Sequence, residues 1–130
     1  MSIERLQDII GEMEQVDCPV VNHFSDGIYA RETIIPQGVC LVGAQHKTRH
    51  FFMVVRGECY IATGEKTVNV EAPYLMETTP GTKRSIMAIT DTTIMTFHVT
   101  NETDVDSIGN DILEPEQNTL PQWKRIGGLK

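Results

Sequence analysis

The sequence predicts an all-β protein of one domain, an antiparallel barrel or jelly roll with a short N-terminal α-helix and an extended C-terminal tail. Segments rich in β-forming residues recur about every eight to twelve residues, and glycine, proline or aspartate closes each of them. A chain of 130 residues can close one such barrel around a single core, and it is short for two domains.

The N-terminal helix is predicted within residues 1–17. Apolar side chains recur at three- and four-residue spacing from Ile3 to Met13, and acidic side chains occupy the opposite side. Ser2 is suited to cap the helix, and Pro19 follows its end. We expect the helix to cover one opening or flank of the barrel, with a contribution to a dimer as the alternative.

The barrel itself is predicted over residues 18–113. His23 precedes its strands in a stretch that favours a loop, so we expect a loop or capping residue there rather than a ligand. A hairpin with a turn at Gly64 joins two short strands in the middle of the barrel. The predicted strands cover residues 28–35, 39–42, 51–55, 58–62, 67–70, 85–89 and 92–99.

The character of the chain changes at Asn101. The residues that follow are acidic and poor in apolar side chains, which predicts a partly extended arm and a tail at 114–130 rather than a second domain. Trp123 is the one tryptophan of the chain. We expect it to pack on the barrel or on a neighbouring subunit, because an indole ring is mostly apolar.

The stretch from Gly38 to Gly57 carries a spaced set of glycines and histidines. Five residues separate Gly38 from Ala44, one separates Ala44 from His46, three separate His46 from His50, and six separate His50 from Gly57. This skeleton resembles the first motif of the cupin superfamily, G-x5-H-x-H-x3-E-x6-G. Ala44 stands at the first histidine of that motif and His50 at its glutamate. The resemblance implies a cupin-type double-stranded β-helix, with His46 and His50 lining its cavity.

The second cupin motif, G-x5-P-x-G-x2-H-x3-N, is degenerate in this chain. When its last glycine is placed on Gly81, Arg84 falls on the histidine and Ala88 on the asparagine. The resemblance therefore implies a metal site reduced to His46 and His50, with a permanent cation beside it. Two imidazoles hold a divalent transition metal such as Fe, Ni, Mn or Zn only when other groups complete the ligand set.

Two further residues are weak candidates for that ligand set. His98 is one, but Met95, Phe97 and Val99 form the more apolar face of their strand, so alternation predicts that His98 points outward. A carboxylate such as that of Glu77 is the other.

A cationic mouth is the second functional signal. Lys47 and Arg49 flank the histidines, and Lys83 and Arg84 lie at the second motif, whereas the whole chain has a net charge of -7. Their convergence would favour a small anionic ligand, with Arg84 placed for a bidentate contact. In the alternative, Lys47, Arg49 and Lys83 are ordinary solvated charges. The predicted ligand-binding residues are His46, His50, Phe52, Tyr60 and Arg84.

Composition excludes several other classes. The acidic charge argues against nucleic acid as a partner, and the longest apolar runs are too short for a membrane helix. The N-terminus lacks a basic segment followed by an apolar stretch, so we expect a cytoplasmic protein, or one in the host cytoplasm if it is viral. Its cysteines, Cys18, Cys40 and Cys59, form no C-x-x-C pair and are expected to be reduced thiols.

Three functions remain open at this point. The first is a small-molecule-binding cupin, for an anionic ligand, without the complete family metal site. The second is a metal-dependent cupin enzyme of the isomerase or dioxygenase type that uses His46 and His50. The third is a structural or accessory module of a virus or phage. Cupins commonly pair through sheet edges, so a homodimer or higher homo-oligomer is expected.

Overall fold

The protein is a sandwich of two antiparallel β-sheets, which confirms the predicted all-β jelly roll. The computed structural model describes residues 2–43, 45–64 and 66–112, and only the backbone of 109–112. The elements are α1 (Ile3–Gly11), β1 (Val20–Ser25), β2 (Ile28–Ile35), β3 (Cys40–Val42), β4 (His50–Arg56), β5 (Glu58–Ala62), β6 (Thr67–Glu71), β7 (Tyr74–Thr78), β8 (Ser85–Ala88), β9 (Thr92–Val99) and α2 (Val105–Ile112).

The two sheets differ in their number of strands. The five-stranded sheet has the order β1-β2-β9-β4-β7, and the four-stranded sheet has the order β3-β8-β5-β6. Strands that are distant in sequence are therefore neighbours in space, as in a jelly roll. The predicted hairpin is confirmed, because Ala62 of β5 pairs with Thr67 of β6 around the turn.

The core lies between the sheets, where alternate residues of each strand point inward. On β4 the inward set is His50, Phe52 and Val54, all buried, as the period-two pattern of that strand predicts. Gly57 ends this strand with φ +89, a left-handed conformation that favours glycine. The tight turn from β4 into β5 depends on this residue.

His23 lies in a strand, and the prediction of a loop at this position was wrong. It sits in β1 opposite Ala30 of β2, and its Nε2 lies 2.9 Å from the carboxylate of Glu32. Its side chain is exposed on the surface of the five-stranded sheet and takes no part in the cavity described below.

The helices flank the sandwich at its two chain ends. In α1 the Ser2 hydroxyl accepts a hydrogen bond from the Arg5 N–H, as an N-cap does, and the helix ends at Gly11. The segment after Asn101 was predicted to be extended, but it forms α2, whose Ile108 is fully buried in the core. Helix formation there is explained by this burial.

No described helix is long and apolar enough to cross a membrane. The predicted tail at 114–130 and Trp123 lie outside the described residues.

Candidate functional site

A cavity with both polar and apolar lining residues lies between the two sheets. Its volume is about 50 Å³, and both sheets contribute to its walls. Three aliphatic side chains and Phe52 form its apolar part. The polar lining residues are Arg31, Thr33, His46, His50, Thr78, Thr82, Arg84 and Thr96.

Three histidines cluster at this cavity, where His46 and His50 line it and the His98 ring lies against both of them. The ring centroids of His46 and His50 are 4.5 Å apart, those of His50 and His98 are 4.5 Å apart, and those of His46 and His98 are 5.1 Å apart. One nitrogen from each ring can be chosen so that all three lie within 4.8 Å of one another. The side chains of His50 and His98 are buried, and His46 is partly buried.

The position of each histidine follows from the local backbone. His50 and His98 are inward residues of β4 and β9, neighbouring strands of one sheet. His46 lies in the segment between β3 and β4, where its carbonyl accepts a hydrogen bond of 2.8 Å from the Gly81 N–H. Gln45 holds the same turn, since its side-chain amide donates to the Gly81 carbonyl at 2.9 Å. The Pro-Gly turn of the second motif therefore fixes a histidine of the first.

Hydrogen bonds leave one ring nitrogen for a ligand on two of the histidines. His50 Nδ1 donates to the Thr48 carbonyl at 3.1 Å, which leaves the Nε2 lone pair available. His98 Nε2 lies 2.9 Å from Thr96 Oγ1. Its Nδ1 is buried, and no described residue hydrogen-bonds to it.

The surroundings keep the three imidazoles neutral. Burial lowers the pKa of His98 to about 3, with further lowering by His50 and Arg31. Burial also lowers the pKa of His46 well below its ordinary value, and the proximity of His98, His50 and Arg84 lowers it further. The pKa of His50 is lowered by burial and by Arg84, against the opposing hydrogen bond to Thr48. Neutral imidazole is the form that binds metals.

The three histidines fit a metal ion. Three nitrogens about 2.0–2.1 Å from a tetrahedral metal lie about 3.4 Å apart, which small ring rotations reach from the observed spacing. The buried Nδ1 of His98 gains the partner that a buried polar atom requires. The hydrogen bonds on His50 and His98 are of the kind that orient metal-binding histidines.

Two buried arginines adjoin the histidines. Arg84 donates a short hydrogen bond to Thr78 Oγ1, and its guanidinium carbon lies 4.3 Å from the centre of the Phe52 ring. Arg31, on β2, lies beside Tyr29 and donates to Thr33 Oγ1 at 3.4 Å. Burial lowers the pKa of each arginine to about 10, so both remain charged at neutral pH.

Solved structures share this architecture. A cupin superfamily protein from Desulfitobacterium hafniense matches with a TM-score of 0.54 at 10% identity, over 70% of this chain and 86% of that one. The chain has the cupin fold. An RmlC-like cupin protein from Desulfovibrio desulfuricans matches with a TM-score of 0.52 at 15% identity, over 62% of this chain and 80% of that one.

A larger enzyme contains the same fold. Salicylate 1,2-dioxygenase from Pseudaminobacter salicylatoxidans matches this chain with a TM-score of 0.57 at 13% identity. The match covers 72% of this chain but only 30% of the dioxygenase, so this chain spans less than a third of that enzyme's length. At this identity the likeness concerns the fold. Neither a protein-family model nor a curated protein sequence matches the chain.

Of the four basic residues predicted to form a cationic mouth, only Arg84 lines the cavity. Lys47 is exposed, Arg49 pairs with Glu77 at 3.0 Å on the outer surface, and Lys83 donates to Gln7 of α1 at 2.6 Å. None of these three basic residues is among the described residues that line the cavity. Glu77 likewise lies outside the cavity, so it cannot complete the ligand set as predicted.

The other predicted ligand-binding residues divide in the same way. The structure places His46, His50, Phe52 and Arg84 at the cavity. Tyr60 is an outward residue of β5 and is 47% exposed, so its ring lies on the far side of the four-stranded sheet from the cavity.

His98 points inward, and the predicted orientation of β9 was wrong. It is 2% exposed, whereas Val99 is 86% exposed. The more apolar face of β9, which includes Phe97, covers the outside of the sheet, while the cavity takes the polar face. A prediction based only on which face of β9 is more apolar therefore assigned the wrong face to the core.

Arg31 is a cavity residue that sequence reasoning missed. Both faces of β2 carry apolar side chains, so alternation did not decide which face points inward. The position of Thr33 could have identified the inward face of β2. Thr33 follows Arg31 by two residues and shares a face with Tyr29 and Ile35.

Proposed function

We propose that this cupin binds a divalent transition metal through His46, His50 and His98, and that the adjoining cavity takes an anionic small molecule. The observation that carries the proposal is the three-histidine cluster, whose nitrogens lie within 4.8 Å of one another beside an arginine. Fe, Ni, Mn and Zn are all compatible with imidazole ligands. Three neutral imidazoles leave the charge of such a metal uncompensated, which favours an anion as an additional ligand.

Different residues of the chain would bind the metal and the anion. The three histidines would hold the metal, which would supply Lewis acidity when bound. Arg84 orients the anion, because a guanidinium presents several N–H donors in a fixed plane. Phe52 stacks beneath that guanidinium and Thr78 accepts one of its hydrogen bonds, so the remaining donors keep a fixed direction.

Metal content tests the proposal directly. Untagged protein is purified without chelators, and its metal is measured by inductively coupled plasma mass spectrometry. We expect about one transition metal ion per chain in the unmodified protein and a small fraction of that in His98→Gln, which lacks one of three ligands. The matched control is His23→Gln, since His23 is exposed on β1 and lies away from the cluster. Equal metal content in all three proteins, or metal-free protein that binds no added Zn²⁺ or Fe²⁺, would refute a three-histidine site.

Turnover is the second candidate function. Catalytic metal sites commonly have three protein ligands and leave a position open for water or substrate, and three histidines meet that count. An isomerase or a dioxygenase would both be compatible with such a site. Oxygen consumption by the metal-loaded protein with small organic acids tests the dioxygenase, and proton exchange or product formation without oxygen uptake tests the isomerase, with His98→Gln as the inactive reference in both.

The hypothesis of a structural or accessory module of a virus or phage stays a prediction. A cavity with two buried arginines and three buried or partly buried histidines is costly to form. A protein with a purely structural role has no need of such buried polar groups, so we rank this hypothesis last.

A further inference from the structure

We propose that the ligand of this cavity is a small oxoanion of about three to five non-hydrogen atoms, held between Arg31 and Arg84 next to the histidines. The inference rests on the proposed function, because it names the class of anion that the same site takes. Acetate, bicarbonate and inorganic phosphate belong to this class.

The size limit follows from the cavity volume. The cavity measures about 50 Å³. A single water molecule occupies about 10–15 Å³ on the same measure, so there is room for about three to five atoms of that size. An aromatic acid has at least about ten non-hydrogen atoms, and sites for ligands of that size or larger commonly exceed about 300 Å³. Gentisate, which is bound in one structure of salicylate 1,2-dioxygenase, is therefore too large for this cavity.

The two arginines start from different sheets and contact different strands of the cavity wall. Arg31 belongs to β2 of the five-stranded sheet, whereas Arg84 directly precedes β8 of the four-stranded sheet. Their side chains are 4% and 7% exposed, and both line the cavity. The Arg84 guanidinium contacts Phe52 of β4 and Thr78 of β7, so the two guanidiniums reach the cavity on either side of β9 and can both donate N–H groups to one anion.

The charge balance of the cavity favours an anion. None of the described residues that line it is an aspartate or a glutamate. The groups that the arginines contact there include neutral ones, the hydroxyls of Thr33 and Thr78 and the phenol of Tyr29. Burial raises the pKa of that phenol to about 12, so it carries no negative charge at neutral pH. Two buried guanidiniums beside a cavity whose described lining holds no carboxylate favour an anionic ligand there.

Arg31 has a role that Arg84 cannot fill alone. It is paired in register with Thr96 of β9, the residue that hydrogen-bonds to His98. The second cation therefore stands on the side of the cavity where the third histidine lies. An anion that contacts Arg31 and Arg84 together is held beside the histidine cluster rather than at the mouth.

The test compares anions of different size on the unmodified protein by isothermal titration calorimetry. The probes are acetate, bicarbonate, inorganic phosphate and salicylate, with ionic strength held constant by sodium gluconate, whose anion exceeds the proposed size. The titrations are run on metal-loaded and on chelator-treated protein. We expect at least one small anion to bind at least about tenfold more tightly than salicylate, since the larger acid does not fit. Comparable or tighter binding of salicylate overturns the size limit.

Variants test the two arginines separately. We expect Arg31→Gln and Arg84→Gln each to weaken binding of the preferred anion about 10- to 100-fold, because each loses a charged hydrogen-bond donor. Lys66→Gln, on the exposed hairpin turn, should change binding less than about twofold. Arg31→Lys, which keeps the charge without the planar fork, covers the case in which Arg31→Gln does not fold. Unchanged binding in either Arg31 variant, against loss in Arg84→Gln, overturns the two-arginine site.

The outcomes separate this inference from the proposed metal centre. Binding of no small anion in either metal state overturns the inference, while the metal measurement on His98→Gln still decides the metal centre. Anion binding that persists in metal-free protein supports the two arginines and leaves the metal centre to its own test.

Discussion

His98 couples the stability of this protein to pH in a definite direction. Its pKa is lowered to about 3 by burial in the fold, whereas an unfolded histidine titrates near its ordinary value of about 6.5. Below about pH 6.5 the unfolded chain binds a proton that the folded chain refuses, so falling pH favours unfolding. We expect the metal-stripped protein to lose up to about 1.4 kcal/mol of unfolding free energy per pH unit for this histidine alone, measured by urea denaturation.

A variant isolates this contribution from other titrating groups. His98→Gln should show a shallower dependence of unfolding free energy on pH between about 6.5 and 5, by close to one proton per molecule. The slope is compared rather than the stability at one pH, because the substitution also alters packing. Equal slopes in the His98 variant and the unmodified protein would contradict the prediction.

The sequence predicted two of the three histidines as cavity residues, and the third escaped prediction for a physical reason. His46 and His50 share one short segment between glycines, so their spacing alone relates them to a cavity. His98 is 48 residues beyond His50 and meets it only because β9 pairs with β4. The side chains that line the cavity decide which face of β9 points inward. Here the inward face is the more polar one, which reverses the usual rule that the more apolar face is buried.

At the scale of elements, the turn between β4 and β5 depends on Gly57. A side chain at this position would place its Cβ 2.3 Å from the Asp91 carbonyl oxygen, a backbone atom that cannot turn away. The φ of +89 adds backbone strain for any other residue. We expect Gly57→Ala to lower the free energy of unfolding by at least about 2 kcal/mol in urea denaturation.

The control for this prediction is another glycine of the same sheet region. At Gly64, in the turn between β5 and β6, an added Cβ would meet no atom within 4 Å. Gly64→Ala should therefore change the unfolding free energy by less than about 0.5 kcal/mol. A similar loss in both variants would mean that the tight approach at Gly57 has little energetic weight.

Elements with a strong local pattern were predictable, and those defined by distant contacts were not. The β5–β6 hairpin has its turn and its alternation in one stretch, and it was predicted correctly. Helix α2 has an acidic sequence with few apolar residues, yet Ile108 is buried against the barrel core. Likewise β1 reads as a loop until β2 pairs with it. In both cases the partner surface supplies the stability that the local sequence lacks.

At the scale of the whole molecule, the five-stranded sheet carries apolar side chains on both faces. Its outer face holds an apolar stripe in which Ile28 pairs with Val99 and Phe51 pairs with Phe97. Phe51 is 51% exposed and Val99 is the most exposed of the large apolar residues described. Apolar stripes of this kind on a sheet face commonly mark a protein interface.

A second copy of the chain is the partner we expect on this stripe. The Arg49–Glu77 ion pair, at the end of the stripe beside Phe51, offers one charge of each sign, so two copies related by a two-fold axis can exchange it. By light scattering after size-exclusion chromatography, the unmodified protein should have twice the chain mass, and Phe51→Glu should have the chain mass. Tyr60→Glu, at a similarly exposed aromatic on the outer face of the other sheet, should remain dimeric. An unmodified protein that runs as a monomer, or dissociation by both variants alike, would rule out an interface on this stripe.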